Sequence, residues 1–138
     1  MVRTIEIALQ TKGHTDIRDI TDEVAQAVGA SGLTAGLATV FTPSSTSGLT
    51  TLEYEPGAVT DLKRALDEIA PTDRDYQHNY KWGDGNGVAH LRAALLGPSI
   101  TVPVAGGRLA LGTWQQIIFL DFDTRPRQRT LVVQCVGE

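Results

Sequence analysis

Four short strand-like segments fill the C-terminal part of the chain, and the shortness of their connections restricts the folds available to it. The segments cover residues 99–104, 108–111, 114–122 and 130–136. Ala105-Gly106-Gly107 joins the first two, and a turn over residues 123–129 joins the last two. Parallel strands need a crossover of roughly a dozen residues, so connections this short predict antiparallel pairing.

The preceding part of the chain supplies three more strands and three helices. Ile5, Ile7 and Leu9 alternate with other residues, which predicts a half-buried strand. Apolar residues recur at helical spacing from Val59 to Ile69, which predicts an amphipathic helix. The other predicted elements are a helix with Thr21 as its N-cap, strands over 34–41 and 49–54, a short helix over 88–96, and connections over 11–19 and 71–87. Together they predict an α+β fold of about seven mostly antiparallel strands and three helices, in a single domain spanning residues 1–138.

The composition and net charge of the chain argue against several classes of protein. A chain of 138 residues can bury a core without disulfides or a structural metal. A net charge of −4 argues against nucleic-acid binding, and no apolar run approaches the roughly 20 residues that span a bilayer. The first residues lack the apolar region of a secretory signal, which predicts a cytoplasmic protein. Cys135 lies in an apolar, strand-like run and is predicted to be buried and structural.

The one basic cluster is Arg125-Pro126-Arg127-Gln128-Arg129. Its position between two strand-like segments predicts a solvated turn. The alternative is that these arginines receive a phosphate at a subunit boundary.

The segment from His78 to Gly97 contains most of the candidate site residues of the chain. His78, Asp84, Asn86 and His90 all fall within it. On the short helix, Asn86 and His90 share a face well away from the apolar residues, so the helix can pack on the core and still present both polar groups.

If His78, Asp84 and His90 converge, they form a three-ligand nitrogen and oxygen site with an open position, suited to a divalent ion such as Zn²⁺ or Mg²⁺. The alternative is one site histidine and one loop histidine that bonds to backbone. His14 lies in a polar connection and is predicted to be solvated.

Two further stretches offer donors to a phosphorylated ligand. The glycine-rich run from Gly83 to Gly87 leads into a helix and predicts backbone N–H groups aimed at an anion, or alternatively a tight turn with Asp84 or Asn86 as the cap. Ser44, Ser45 and Thr46 offer hydroxyl groups, although hydroxyl-rich turns also occur without function.

Several of these stretches together resemble the YjbQ family, over nearly the whole chain. They are His78-Asn79, Asp84-Gly85-Asn86, Ala89-His90-Leu91, Leu96 to Ser99, Gly112-Thr113-Trp114-Gln115 and Val133 to Glu138. Members of that family are often labelled secondary thiamine-phosphate synthase enzymes. The resemblance implies a compact α+β homotrimer with polar clefts near subunit boundaries and a metal-associated histidine cluster. It assigns the site to His78, Asp84, Asn86 and His90.

The chain departs from the family pattern at three positions. Many members read Pro-His-Thr-Thr-Ala-Gly-Leu-Thr where this chain has Ser44 after Pro43, and an Asn-Glu pair shortly after, where this chain has Leu52 before Glu53. Some also carry a histidine two residues before the equivalent of His90, where this chain has Val88. The missing histidines weaken the metal site that the resemblance implies.

Three functions follow as hypotheses. The first is a thiamine-phosphate synthase-like transferase with His90 and Asp84 as catalytic residues and Asn86, Ser44, Ser45, Thr46 and Trp114 as substrate-binding residues. Donors and a divalent ion would stabilise the departing pyrophosphate, and Tyr80, Trp82 or Trp114 would stack on a heterocycle. The second is a non-catalytic trimeric module that binds a small phosphorylated or metal-bound ligand. The third is a metal-assisted hydrolase that uses Asp84 and Glu53.

Overall fold

The computed structural model describes residues 1–138, which form eight strands and four helices. In chain order these are β1 (Val2–Thr11), β2 (Asp16–Asp19), α1 (Thr21–Ser31), β3 (Ala35–Phe41), β4 (Ser47–Leu52), α2 (Pro56–Ile69), α3 (Gln77–Trp82), α4 (Gly87–Leu96), β5 (Ser99–Ala105), β6 (Arg108–Leu109), β7 (Gln116–Asp121) and β8 (Arg127–Gly137). The predicted α+β class is confirmed.

The strands form two sheets in which every neighbouring pair is antiparallel. The large sheet has the order β1-β8-β3-β5-β6, and the small sheet has the order β2-β7-β4. The short connection between β5 and β6 joins two strands that pair directly and antiparallel, as predicted. The connection from β7 to β8 instead carries the chain from the small sheet to the large one.

Strand β7 is buried on both faces and therefore joins two hydrophobic clusters. Ile117 and Phe119 belong to the larger cluster, which brings together side chains from both sheets and α1. Ile118 and Leu120 point the other way, into a cluster that includes side chains of α2 and α4. Such burial explains why the strand reads as a nearly continuous apolar run. Cys135 is a fully buried free thiol in the larger cluster, as predicted.

The helices begin and end for identifiable local reasons. The side chain of Glu55 caps α2 by accepting hydrogen bonds from the amides of Gly57 and Ala58, and Pro56 occupies the first turn. Thr21 was predicted as the N-cap of α1, and this is wrong: Thr21 is the first helical residue, and its amide donates to Asp19 Oδ1 at 3.0 Å. None of the four helices combines the length and apolarity needed to cross a membrane.

Three elements differ from the sequence-based expectation. β2 lies in the predicted connection over 11–19, and α3 lies in the predicted loop over 71–87. β8 begins at Arg127, so the basic cluster is only partly a turn. The eight strands and four helices therefore exceed the predicted seven and three by one element each.

Replacing Gly36 by Ala is expected to destabilise the large sheet by about 2–4 kcal/mol. Gly36 lies on β3 beside β8, and a Cβ there would overlap the carbonyl oxygen of Val136. The free energy of unfolding in urea measures the effect. Gly29→Ala is the matched control, because Gly29 lies in α1 with no atom within 4 Å of the added Cβ. That variant should gain about 0.5–1 kcal/mol. Equal stability of Gly36→Ala and the wild type would contradict the close approach of these strands.

Candidate functional site

The loop between α3 and α4 folds back so that His78 and His90 contact each other. His78 lies on α3 and His90 on α4, and their ring centroids are 4.2 Å apart with the planes tilted by 34°. The ring of Trp82, one turn after His78, lies 6.5 Å from it. Two of the three histidines of the chain therefore form one side of the candidate site.

Asp84 and Asn86 lie close to this pair but do not complete its hydrogen bonding. Asp84 Oδ1 is 3.6 Å from Nδ1 of His78, too far for a hydrogen bond, and accepts instead from the amide of Asn86 at 3.1 Å. The side chain of Asn86 makes no cap to α4, whose first amide, that of Gly87, donates to Asn79 Oδ1 at 2.9 Å. Buried Nδ1 of His78 and Oδ1 of Asn86 are both left without a partner. Because such orphaned atoms are costly, both are candidates to meet a ligand.

The donor atoms do not fit a preformed three-ligand metal site. No group of three or more His, Cys, Asp or Glu side chains is arranged to hold a metal ion. The two imidazoles are stacked at a tilt, and Asp84 is engaged with backbone. The departures at Ser44 and Val88 are consistent with this arrangement, since neither residue supplies an imidazole.

A cavity of about 250 Å³ lies on the side of α4 that carries His90. Its wall is completed by the hydroxyl-rich turn between β3 and β4, here called the serine loop (residues 44–47), and by small residues. The lining residues are Ser44, Ser45, Ser47, His90, Ala93, Ala94 and Pro98. The structure thus brings two sequence-predicted donors, Ser44 and Ser45, to the predicted catalytic histidine.

Burial and neighbouring charge lower the pKa of His90. Burial is the larger cause, because it disfavours the imidazolium, and the charge of His78 acts in the same direction. The carboxylates of Asp84 and Asp123 oppose the shift without reversing it. His90 is therefore neutral at pH 7, with one ring nitrogen as a donor and the other as an acceptor.

Arg129 anchors the serine loop by hydrogen bonds to two of its hydroxyl groups. Its guanidinium group binds both carboxylate oxygens of Asp121, at 2.7 and 2.9 Å. The remaining donors reach Ser44 Oγ at 3.0 Å and Thr46 Oγ1 at 2.8 Å. The predicted solvated turn is therefore wrong for this residue, whose side chain is only 14% exposed.

A second ion pair extends the network. Asp123 Oδ2 accepts hydrogen bonds from Thr46 Oγ1 and from Arg127 Nε, both at 3.1 Å. Burial would raise the pKa of Asp123, but the Thr46 hydroxyl and the charges of Arg127 and Arg129 outweigh it and lower that pKa. Both arginines thus face carboxylates and keep no free charge for an anionic ligand.

Sequence reasoning did not identify this network, although a signal was present. Asp121 ends one strand and Asp123 lies two residues further on, and Arg127 and Arg129 are two residues apart at the start of the next strand. Alternate residues of a strand share a face, so two such pairs on either side of a turn can meet.

The structure places the other predicted residues away from the cavity. Thr46 is buried and engaged with Asp123 and Arg129. Trp114 lies in the connection from β6 to β7 and is 72% exposed, and Glu53 lies exposed after β4. None of the three lines the cavity beside His90.

Titration of His90 should give a pKa below the ordinary value of 6.5, measured from its ring resonances by NMR. His78→Gln should raise the pKa of His90 because it removes a nearby positive charge. Asp84→Asn should lower it further because it removes an opposing negative charge. A wild-type pKa of His90 at or above 6.5 would contradict the burial of the imidazole.

Asp121→Asn is expected to cost about 3 kcal/mol of unfolding free energy at pH 7, because it leaves the buried Arg129 with only the more distant carboxylate of Asp123, at 3.6 Å. Burial alone would raise the pKa of Asp121, but hydrogen bonds from Arg129 and Thr11 lower it below 3.8. A carboxylate with a lowered pKa contributes its stability above 3.8 and loses it as the pH falls through the folded value. The difference between wild type and variant should therefore shrink in acid.

The matched control for this change is Asp61→Asn. Asp61 pairs with Arg64 at 3.4 Å on α2, and both side chains are about 70% exposed, at 70% and 72%. Exposed pairs contribute less than about 1 kcal/mol, so thermal and urea unfolding of this variant should resemble the wild type. A similar loss in both variants would show that burial of Asp121 has no special role.

Comparison with known proteins places the chain in a family. A family model described as "UPF0047 protein YjbQ-like" matches residues 5–138. A UPF0047 protein of Archaeoglobus fulgidus is 41% identical over 132 residues, covering 96% of this chain and 100% of the relative. YugU of Bacillus subtilis is 36% identical over 138 residues, covering 99% and 100%.

Solved structures agree with the sequence relatives. A YbjQ-like protein of unknown function from Sulfolobus solfataricus superposes with a TM-score of 0.95 at 33% identity, covering 100% of this chain and 99% of that one. A protein of the same family from Clostridium acetobutylicum gives a TM-score of 0.87 at 38% identity, covering 96% and 99%. The chain therefore belongs to the YjbQ (UPF0047) family.

Proposed function

We propose that the cavity beside His90 is the active site of a transferase that joins a pyrimidine pyrophosphate to a thiazole phosphate. The family resemblance suggests this reaction, and one observation supports it. The imidazole of His90 and the hydroxyl groups of the serine loop line the same cavity of about 250 Å³. An enzyme of this type must stabilise a departing pyrophosphate, and hydroxyl and imidazole donors suit that task.

The proposed reaction is a displacement at carbon. The lone pair of the thiazole nitrogen forms a new bond to the methylene carbon of the pyrimidine. The bond between that carbon and the pyrophosphate oxygen breaks, and pyrophosphate leaves with the bonding electrons. No proton has to be removed from the nucleophile, so the protein's task is to orient the two substrates and to stabilise the leaving group.

Ser44 is hydrogen-bonded on every side within the serine loop. Its Oγ accepts from Arg129 at 3.0 Å and from the amide of Thr46 at 3.1 Å, and it lies 3.3 Å from Thr46 Oγ1, whose own proton goes to Asp123. Ser44 would therefore donate to a ligand by turning its hydroxyl proton away from Thr46 Oγ1. His90 is neutral at pH 7 and would add a ring N–H donor, and Asp84 would orient the loop before α4.

Tyr80 and Trp82 are exposed on α3 and would stack on a heterocycle.

The second candidate is a non-catalytic module that binds a small phosphorylated ligand as a homotrimer in the cytoplasm. The absence of a three-donor cluster around His78, Asp84 and His90 favours it, because the metal-dependent chemistry that the resemblance implies would lack its ligands within one chain. Exposed apolar side chains also lie together on the large sheet, where Leu37 on β3 pairs with Val136 on β8. Association through such a face would support the proposed trimer.

The experiment is a time course of thiamine-phosphate formation from the two phosphorylated precursors, with Mg²⁺ added as the counter-ion of the pyrophosphate. His90→Ala should lower turnover by about 100-fold or more if His90 contacts the departing group. Circular dichroism and thermal unfolding check that the variant remains folded.

Leu95→Ala is the matched control for the assay. Leu95 lies on the same helix, is 56% exposed and does not line the cavity. Its turnover should equal that of the wild type. Equal product from wild type and His90→Ala would indicate a contaminating enzyme. No product from either would reject the transferase in favour of the binding module.

A further inference from the structure

A second cavity, of about 270 Å³, lies on the opposite face of α4 from His90. Val88 and Arg92 line it, whereas His90 and Ala94 line the first cavity. Positions two apart on an α-helix point about 200° apart, so each pair of residues, four apart, faces its own cavity. The second cavity also contacts α2, the connection before β2 and the residues after β7. It shares no lining residue with the first.

Arg92 gives this cavity a rigid wall. The residue is only 4% exposed, and its guanidinium group donates to the carbonyl of Ala70 at 3.1 and 2.8 Å. It also donates to Thr15 Oγ1 at 2.7 Å and to Asp67 Oδ1 at 2.8 Å. One side chain thus fixes the end of α2 and the connection before β2 relative to α4. A pocket whose walls are fixed in advance loses little entropy when a ligand enters.

The backbone before β2 adopts an uncommon conformation at the rim. His14 and Thr15 have φ of 53° and 63°, and neither is glycine. A β-branched residue in this region is a true outlier and costs about 1–3 kcal/mol. The conformation is held by the His14 amide, which donates to the carbonyl of Asp123 at 2.8 Å, and by Arg92. It keeps His14 among the residues that line the cavity.

The charges that line the cavity leave it electropositive. Asp67, the acid among the lining residues, is paired with Arg92 at 2.8 Å. Lys63, from the same helix, also lines the cavity and takes part in none of the ion pairs. Thr72 and Thr124 add hydroxyl groups, and Val88 and Phe122 form an apolar wall. An unpaired ammonium, hydroxyl donors and an apolar wall are the parts of a site for a small organic anion.

We propose that this cavity binds a phosphate monoester, with the phosphate near Lys63 and His14 and a compact apolar body against Phe122 and Val88. The proposal is independent of the reaction at His90, because the two cavities lie on different faces of α4. It assigns this chain a second ligand site, separate from the cavity beside His90.

The test is a titration of the whole chain with phenyl phosphate, monitored through its backbone amide signals by NMR. Phenyl phosphate carries both the anion and a compact apolar ring. Inorganic phosphate and phenol are the comparison probes, because each supplies only one half of the ligand. Phenyl phosphate should bind at least about fivefold more tightly than either, since both walls contribute. The amide signals of His14 and Thr124 should shift.

Lys63→Gln should weaken binding of phenyl phosphate about tenfold, because it removes the unpaired charge but keeps a side chain of similar length. Arg64→Gln is the matched control: Arg64 neighbours Lys63 on α2, is exposed and does not line the cavity. Its affinity should be unchanged. Shifts confined to the serine loop and His90 would overturn the proposal by placing the anion in the other cavity, where a transferase would also hold it. Binding that is absent at millimolar phenyl phosphate, or unaffected by Lys63→Gln, would overturn it as well.

Discussion

The buried ion pair between Asp121 and Arg129 ties the two sheets to each other and to the candidate site. Asp121 ends β7 in the small sheet, Arg129 lies near the start of β8 in the large sheet, and Thr11 of β1 donates to the same carboxylate at 2.6 Å. Removing both charges from water is costly, and the two-pronged contact with extra hydroxyl donors offsets that cost. The serine loop crosses from one sheet to the other at this point. The pair holds Arg129 in place to donate to Ser44 and Thr46, and it supports the loop together with the bond from Thr46 to Asp123.

Much of the fold follows from local patterns in the sequence. The alternation around Ile5 and the helical spacing from Val59 to Ile69 are strong because each buries one face on a core, and both elements form where predicted. β2 was missed because it has four residues with Ile17 as its one buried apolar side chain, too few to show a period. α3 was missed because it has no buried residue and so carries no apolar stripe.

The site was less predictable because its geometry depends on contacts between distant residues. The resemblance grouped His78 with His90, and these two do meet. Reasoning from the residue types added Asp84 as a third metal ligand, and no group of three or more such side chains is arranged to hold a metal ion. Arg92 was overlooked because its partners Thr15 and Ala70 are 77 and 22 residues away, so no local spacing marks it. Pairing of this kind is a property of the folded topology rather than of any short stretch.

Strand β7 has apolar side chains in both hydrophobic clusters, and this couples the opening motions of the two clusters. If the elements packed on either face of β7 separated from it, that face would be exposed to water. Opening one hydrophobic cluster is therefore costly in free energy even while the other stays packed. Phe122, Asp123 and Thr124 follow directly after the strand and reach both cavities or their supporting walls. The walls of the two cavities therefore belong to one cooperative unit of the fold.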